Sequence, residues 1–283
     1  MQLPLARQAR LGLDAGDAGA VWLPPPQGAQ LSRNIHHHRH PELEINLVVR
    51  GHCTYLIGSR TYLLGVNCLT WLFPGQDHCL VQRSPDFAMI IAVWTPACVA
   101  RVAASLGVAA LTHTDPGVRC HRLPISSFRA DTELLTALAS AGPVERNLGL
   151  PYALARLWQH SATAAVAASA DLPAALTRAI RLLGDSGLCR TVSVASLARG
   201  AGLSADHFAR LFRRHLGCTP VEFRNRSCLD RFLDQWRPGV PAMELAYACG
   251  FGSYTAFNRS FRTTLGSSPR AWIAARNGQI TPA

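Results

Sequence analysis

Between residues 43 and 94 the chain alternates short apolar runs with turn residues. The runs are Leu43–Val49, Cys53–Ile57, Arg60–Leu64, Cys68–Phe73, Cys79–Gln82 and Phe87–Trp94, and Gly51, Gly58-Ser59, Gly65 and Pro74-Gly75 separate them. Closely spaced β-type runs broken by Gly and Pro predict an antiparallel β-barrel or sandwich. The period changes after about residue 96. Residues 126–140 and 150–169 are rich in Ala and Leu at helical spacing, with Pro143 and Gly149 between them. They predict two helices packed on the barrel or on a partner subunit. Ala170-Asp171-Leu172-Pro173 reads as a linker, with Asp171 as the cap of a helix that starts near Pro173.

The remainder is helical, in segments near 174–184, 193–200, 204–215, 219–236, 241–249, 253–265 and 268–277. Two domains follow: residues 1–170, strands plus helices, and residues 171–283, all-α. Within the second, two stretches look alike. Leu197-Ala198, Gly202 and Ser204 are followed by Phe208, Arg210 and Phe212; Leu245-Ala246, Gly250 and Ser253 are followed by Phe257, Arg259 and Phe261. Each predicts a helix-turn-helix: small Ala where helices meet, glycine in the turn, serine capping the second helix. Phe208, Leu211 and Phe212 fall at i, i+3, i+4 and form a buried stripe, as do Phe257 and Phe261. Asp206, His207, Arg210 and Arg213 then face outward on the first unit, and Tyr254, Thr255, Asn258, Arg259 and Arg262 on the second. Such a face suits base edges and phosphates in a major groove.

Charge agrees. None of the 28 basic residues is a lysine, and the formal net charge is +11. Residues 172–283 hold 15 arginines against 6 acids, while residues 1–171 hold 13 against 11. A basic half joined to a near-neutral half points to a polyanion partner for one end, and guanidinium binds phosphate and guanine edges in bidentate fashion. The nine cysteines show no paired spacing, which disfavours disulfide and zinc-ribbon frameworks. No apolar run reaches membrane-spanning length and the N-terminus lacks a signal-peptide core, so a cytoplasmic protein is expected.

Residues 174–277 resemble the AraC-type DNA-binding domain. The residues that carry the likeness run from Ala246 through Gly250-Phe251, Ser253, Phe257, Arg259 and Phe261-Arg262 to Leu265-Gly266 and Ser268-Pro269. The resemblance implies two helix-turn-helix lobes joined by a long helix, here about 219–236. That helix reads Phe223-Arg224-Asn225-Arg226-Ser227-Cys228-Leu229, a departure from the family's commoner pattern, and it stops at Pro238-Gly239.

In the N-terminal half, His38-x-His40-x3-Glu44 is followed by Gly51, the spacing of the first cupin motif, and Pro74-Gly75-Gln76-Asp77-His78 resembles a shortened second one. The resemblance implies a cupin-like barrel with His38, His40, Glu44 and His78 pointing inward, as an effector pocket or as ligands of a divalent metal. The flanking His36 and His37 argue for a surface run, and the family's usual asparagine is missing near Gln82. No cofactor is therefore expected, and a divalent metal is the lesser alternative.

The sequence thus predicts a transcriptional regulator and not an enzyme. Double-stranded DNA is the expected partner, with a small-molecule effector, a second copy in a homodimer and, for an activator, RNA polymerase. The alternative is a cupin metalloenzyme fused to a DNA-binding domain.

Overall fold

Turns decide how the strands are shared out. The computed structural model describes residues 7–8, 13, 16–24, 38–113, 117, 119–184 and 193–277. Its strands are β1 Arg7–Gln8, β2 Gly19–Trp22, β3 His38–Arg39, β4 Leu43–Arg50, β5 His52–Ile57, β6 Arg60–Gly65, β7 Cys68–Leu72, β8 His78–Arg83, β9 Ala88–Trp94, β10 Arg119–Arg122, β11 Ala165–Val166 and β12 Ser169–Asp171. They form two six-stranded sheets, ordered β1-β3-β8-β5-β6-β12 and β11-β10-β7-β4-β9-β2.

Of the expected barrel or sandwich, the closed cupin-like barrel does not form, and the pairing is not wholly antiparallel. The turns at Gly51, Val66-Asn67, 73–77 and 84–87 each carry the chain from one sheet to the other, and β5–β6 is the hairpin that stays within a sheet. No ladder joins the sheets among the described residues; they face each other as a sandwich, and β1 pairs with β3 in parallel. Gly51 makes one of these crossings at φ +64°, and a Cβ there would lie 2.3 Å from Ser84 Oγ.

Alternation along the strands then builds layers. Val48, Tyr55, Leu64, Leu72, Leu80, Met89 and Val93 fill the space between the sheets. Ile45, Leu47, Leu69, Trp71, Ala92 and Trp94 point the other way, onto α1 (Pro96–Leu106), α2 (Ile125–Ser140) and α3 (Pro143–Ala162). Because β4, β7 and β9 are covered on both faces, they read as continuous apolar runs. A 3₁₀ turn, Ala109–Thr112, follows α1.

Two sequence boundaries move. Pro143 is the first residue of α3 and not a break before it. Gly149 lies inside α3, where a Cβ would meet Leu138 Cδ2 of α2 at 2.4 Å, so it permits close helix packing. The predicted linker also shifts: Asp171 ends β12 opposite Arg60 on β6 and bonds that guanidinium at 2.7 Å, while α4 begins at Ala174.

The C-terminal helices are α4 Ala174–Gly184, α5 Val194–Gly200, α6 Ala205–Leu216, α7 Pro220–Gln235, α8 Ala242–Ala248, α9 Tyr254–Leu265 and α10 Pro269–Asn277. Their ends follow the expected chemistry. Ser204 accepts from His207 N–H and Ser253 from Ala256 N–H, while Gly217 and Gly266 close α6 and α9 in the left-handed region. Thr219 and Glu222 form a reciprocal capping box on α7. Two cores result. One gathers α4 to α6 and the start of α7 around Phe208, Phe212 and Phe223; the other gathers α7 to α10 around Phe232, Phe257 and Phe261. The first also takes in Leu56, Cys79 and Val81 from the outer face of the first sheet, which binds the two halves of the molecule together.

Candidate functional site

Four polar side chains meet in the sandwich interior. His38, His40, Glu44 and His78 are each at most 2% exposed. His38 lies opposite His78 where β3 pairs with β8, and Glu44 is the second residue of β4. His40 and Glu44 lie on either side of a bend: the chain leaves β3 at His40 and turns before β4. The ring still turns inward, because its Nδ1 meets Glu42 O at 3.0 Å and its Nε2 meets Glu44 Oε2 at 2.9 Å. His78 Nε2 lies 3.1 Å from His38 Nε2, and His78 Nδ1 lies 2.9 Å from Gln76 O. The three imidazoles bring donor atoms within 4.8 Å of one another. Burial pulls the His40 pKa down, but the bond to Glu44 and the charges of Glu44 and Glu42 outweigh it, so it stands raised. His36 and His37 lie outside the described residues.

Two supporting residues escaped the sequence reading. Asn46 donates from Nδ2 to Glu44 Oε1 at 2.9 Å and to the Tyr55 hydroxyl at 3.0 Å. Their signal was present: Asn46 shares parity with Glu44 in an otherwise apolar strand, and Tyr55 is two residues from Cys53 on an inward face. Burial and the nearby Glu44 hold the Tyr55 hydroxyl well above its usual pKa.

The strand that supplies His78 also meets the helical C-terminal half. His78 and Leu80 face the interior, whereas Cys79 and Val81 enter the core of the first C-terminal lobe. Arg226 of α7 donates from Nη1 to Val81 O at 2.7 Å. A Cβ on Gly217 would lie 1.8 Å from Gln82 Oε1, so the end of α6 passes directly over β8. Arg83 is lowered by burial and by the Arg226 guanidinium, with Asp230 offsetting part of that. A cleft of about 210 Å³ lies here, lined by β8, Arg226, Thr263 and Thr264.

The two predicted recognition helices expose the predicted faces. On α6 the buried residues are Phe208, Phe212 and Leu216, while Asp206, His207, Arg210 and Arg213 are exposed. On α9, Phe257 and Phe261 are buried, and Tyr254, Thr255, Arg259 and Arg262 are exposed. Asn258 departs from the expectation. It is half-buried, and its side-chain oxygen is enclosed without a donor. Gly202 and Gly250 take φ of +70° and +106° in the turns that precede these helices.

Two family models match the chain: an AraC-like ligand-binding domain over residues 27–90 and a helix-turn-helix domain over residues 197–275. A curated relative, the probable transcriptional regulator LumQ of Photobacterium leiognathi, is 36% identical over 87 residues. The match covers 30% of this chain and 35% of the relative, so the chain spans about a third of the length of the protein it matches. Among solved structures, unsaturated fatty acid-bound ToxT of Vibrio cholerae superposes with a TM-score of 0.39 at 13% identity, covering 92% of this chain and 97% of that one. The AraC-like transcriptional activator CuxR gives 0.33 at 15%, over 86% and 90%. With scores this low, the fold description rests on the chain's own sheets and helices. No described helix is long and apolar enough to cross a membrane.

Proposed function

The chain belongs to the AraC-type transcriptional regulators, and from that premise we propose that it reads double-stranded DNA with α6 and α9 and responds to a ligand held between its two sheets. The observation that carries this reading is the pair of exposed helix faces, each bearing arginines at i and i+3, in the half of the chain that holds 15 arginines against 6 acids. Arg210, Arg213, Arg259 and Arg262 would contact phosphates or guanine edges; Asp206, His207, Tyr254 and Thr255 would set register and base preference. Asn258 joins them if its amide turns out of its enclosed position. The α5–α6 and α8–α9 pairs act as two helix-turn-helix units, spaced by α7.

In the sensor role, His38, His40, Glu44 and His78 recognise the ligand and catalyse nothing. β8 is the route of coupling, since alternate residues of one strand serve the ligand site and the first DNA-binding lobe. A homodimer in the cytoplasm completes the proposal, with RNA polymerase as a further partner if the protein activates.

The test is equilibrium binding of the full chain to duplex DNA across a salt series. Each phosphate neutralised contributes a slope of about −0.9 in log K against log salt. The expected slope corresponds to several phosphates and is shallower in an Arg210→Ala, Arg259→Ala variant. Binding that ignores salt contradicts the proposal.

A further inference from the structure

Resting on the reading of DNA by α6 and α9, and deepening it, we propose that Arg231 is a positioning residue: it fixes the turn that delivers α9 and so sets the offset between the two helices on DNA.

The two helix-turn-helix units begin alike. α5 and α8 each span 7 residues, and the turns after them repeat the same backbone bonds. Gly202 N–H donates to Arg199 O and Leu203 N–H to Ala198 O; Gly250 N–H donates to Tyr247 O and Phe251 N–H to Ala246 O. The second unit then inserts a residue. Leu203 is followed directly by the cap Ser204, whereas Gly252 stands between Phe251 and the cap Ser253. Gly252 is exposed, and a Cβ there would meet nothing within 4 Å. With Gly250 and Gly252 flanking Phe251, this turn has more backbone freedom than the first. By itself it holds α9 less firmly than its counterpart holds α6.

Arg231 acts at the root of that turn. It lies on α7, is 5% exposed, and donates from Nε to the Cys249 carbonyl at 3.2 Å. Cys249 is the C-cap of α8, and the carbonyls at a helix end lack partners within the helix. Nη2 donates to Cys228 Sγ at 3.3 Å, so the guanidinium is also oriented from its own helix. A lobe of this kind does not need a cation in its core: α4 supplies the first lobe with Leu176, Ala179, Ile180 and Leu183. Burying a charge is costly unless its donors are used, and replacing buried charges by apolar side chains of similar volume is often neutral or stabilising. Directed bonds add fixed geometry, because a planar fork aims its donors where an apolar side chain only fills space. Here they fall on the turn that carries the extra glycine.

The experiment compares the full chain with Arg231→Met, which fills the space without donors, and Arg231→Lys, which keeps a charged donor. Amide hydrogen exchange is measured on the free chains. In Arg231→Met, residues 250–256 should exchange about 10–100-fold faster, as expected for losing bonds from a charged donor. Residues 201–207 and the melting temperature should stay as in wild type. Duplex binding is then measured on the site that the wild-type chain selects, and on the same site with one base pair inserted or removed between its halves. Wild type should reject the altered spacings, and in Arg231→Met that discrimination should fall by about 10-fold or more. Arg231→Lys should lie between the two. A wild-type value of either quantity in Arg231→Met overturns the proposal. Should Arg231→Met unfold, the same two quantities are read in Arg231→Lys; unfolding of the second lobe in both variants makes Arg231 a core residue only and also overturns it. If wild type selects no duplex, the DNA reading fails, and with it the role of Arg231 on DNA, while exchange alone still decides whether Arg231 holds the turn.

Discussion

At Arg259 a single side chain separates the readings of the helical half. It is exposed on α9, two residues from each of the buried Phe257 and Phe261 and so on the opposite face. If it reads a guanine, Arg259→Ala costs about 1–3 kcal/mol of DNA binding and relaxes preference at one base position. Far-ultraviolet circular dichroism should stay unchanged, because no core contact is lost. A surface ion pair of structural importance would instead lower binding and melting temperature together. This face was legible in the sequence, since phenylalanines at i and i+4 assign the remaining positions to solvent. The enclosed Asn258 oxygen was not legible, because periodicity places a residue on a face without saying how far its amide turns in. His38, His40, Glu44 and His78 came from the cupin resemblance, which the His38-x-His40-x3-Glu44 spacing and Pro74–His78 carry. Asn46 was passed over, although its polar side chain at an inward position is the same kind of signal.

Helix ends supply the tests at the scale of elements. Thr219→Ala removes one side of the α7 capping box and should cost about 1 kcal/mol. The Thr219 backbone N–H donates to Glu222 and holds its carboxyl below the ordinary 4.5. A depressed pKa stabilises the fold above the unfolded value and loses that contribution as pH falls through the folded one. The difference in stability between wild type and Glu222→Ala should therefore be constant above about pH 5 and shrink on acidification below 4.5. Denaturant titrations at a series of pH values measure it. Gly217 and Gly202 make a matched pair. Both sit near φ +70°, but a Cβ on Gly202 meets nothing within 4 Å, while one on Gly217 runs into Gln82. Gly202→Ala should cost about 1 kcal/mol for its left-handed backbone, and Gly217→Ala should cost more by whatever displacing Gln82 requires. Equal costs would argue that α6 does not press on β8.

Across the whole molecule, strand positions were readable from apolar runs but the sharing of strands between two sheets was not. Gly51 and the 84–87 turn look like ordinary hairpin punctuation; only tertiary contacts, such as the one a Gly51 Cβ would make with Ser84, distinguish a crossing from a hairpin. The same holds for the joint between halves. Cys79 and Val81 alternate with His78 and Leu80 in a run that reads as apolar on both faces, and nothing in it reveals that one face meets a helical lobe. Arg226→Ala, which removes the bond to Val81 O, should leave DNA affinity of the ligand-free chain within a few-fold while reducing the change in affinity that ligand produces. Fluorescence anisotropy with and without ligand measures both. An undiminished ligand response would remove β8 as the route between sites.

The central claim, that α6 and α9 read DNA together, is tested most directly by selecting bound duplexes from a random-sequence library with the full chain. The account predicts an enriched motif with two clusters of preferred bases about 10 base pairs apart, matching successive major grooves on one face of the helix. In Arg259→Ala one cluster should fade and the other remain. Recovery of no motif, or of a single cluster that Arg210→Ala and Arg259→Ala affect alike, would contradict it.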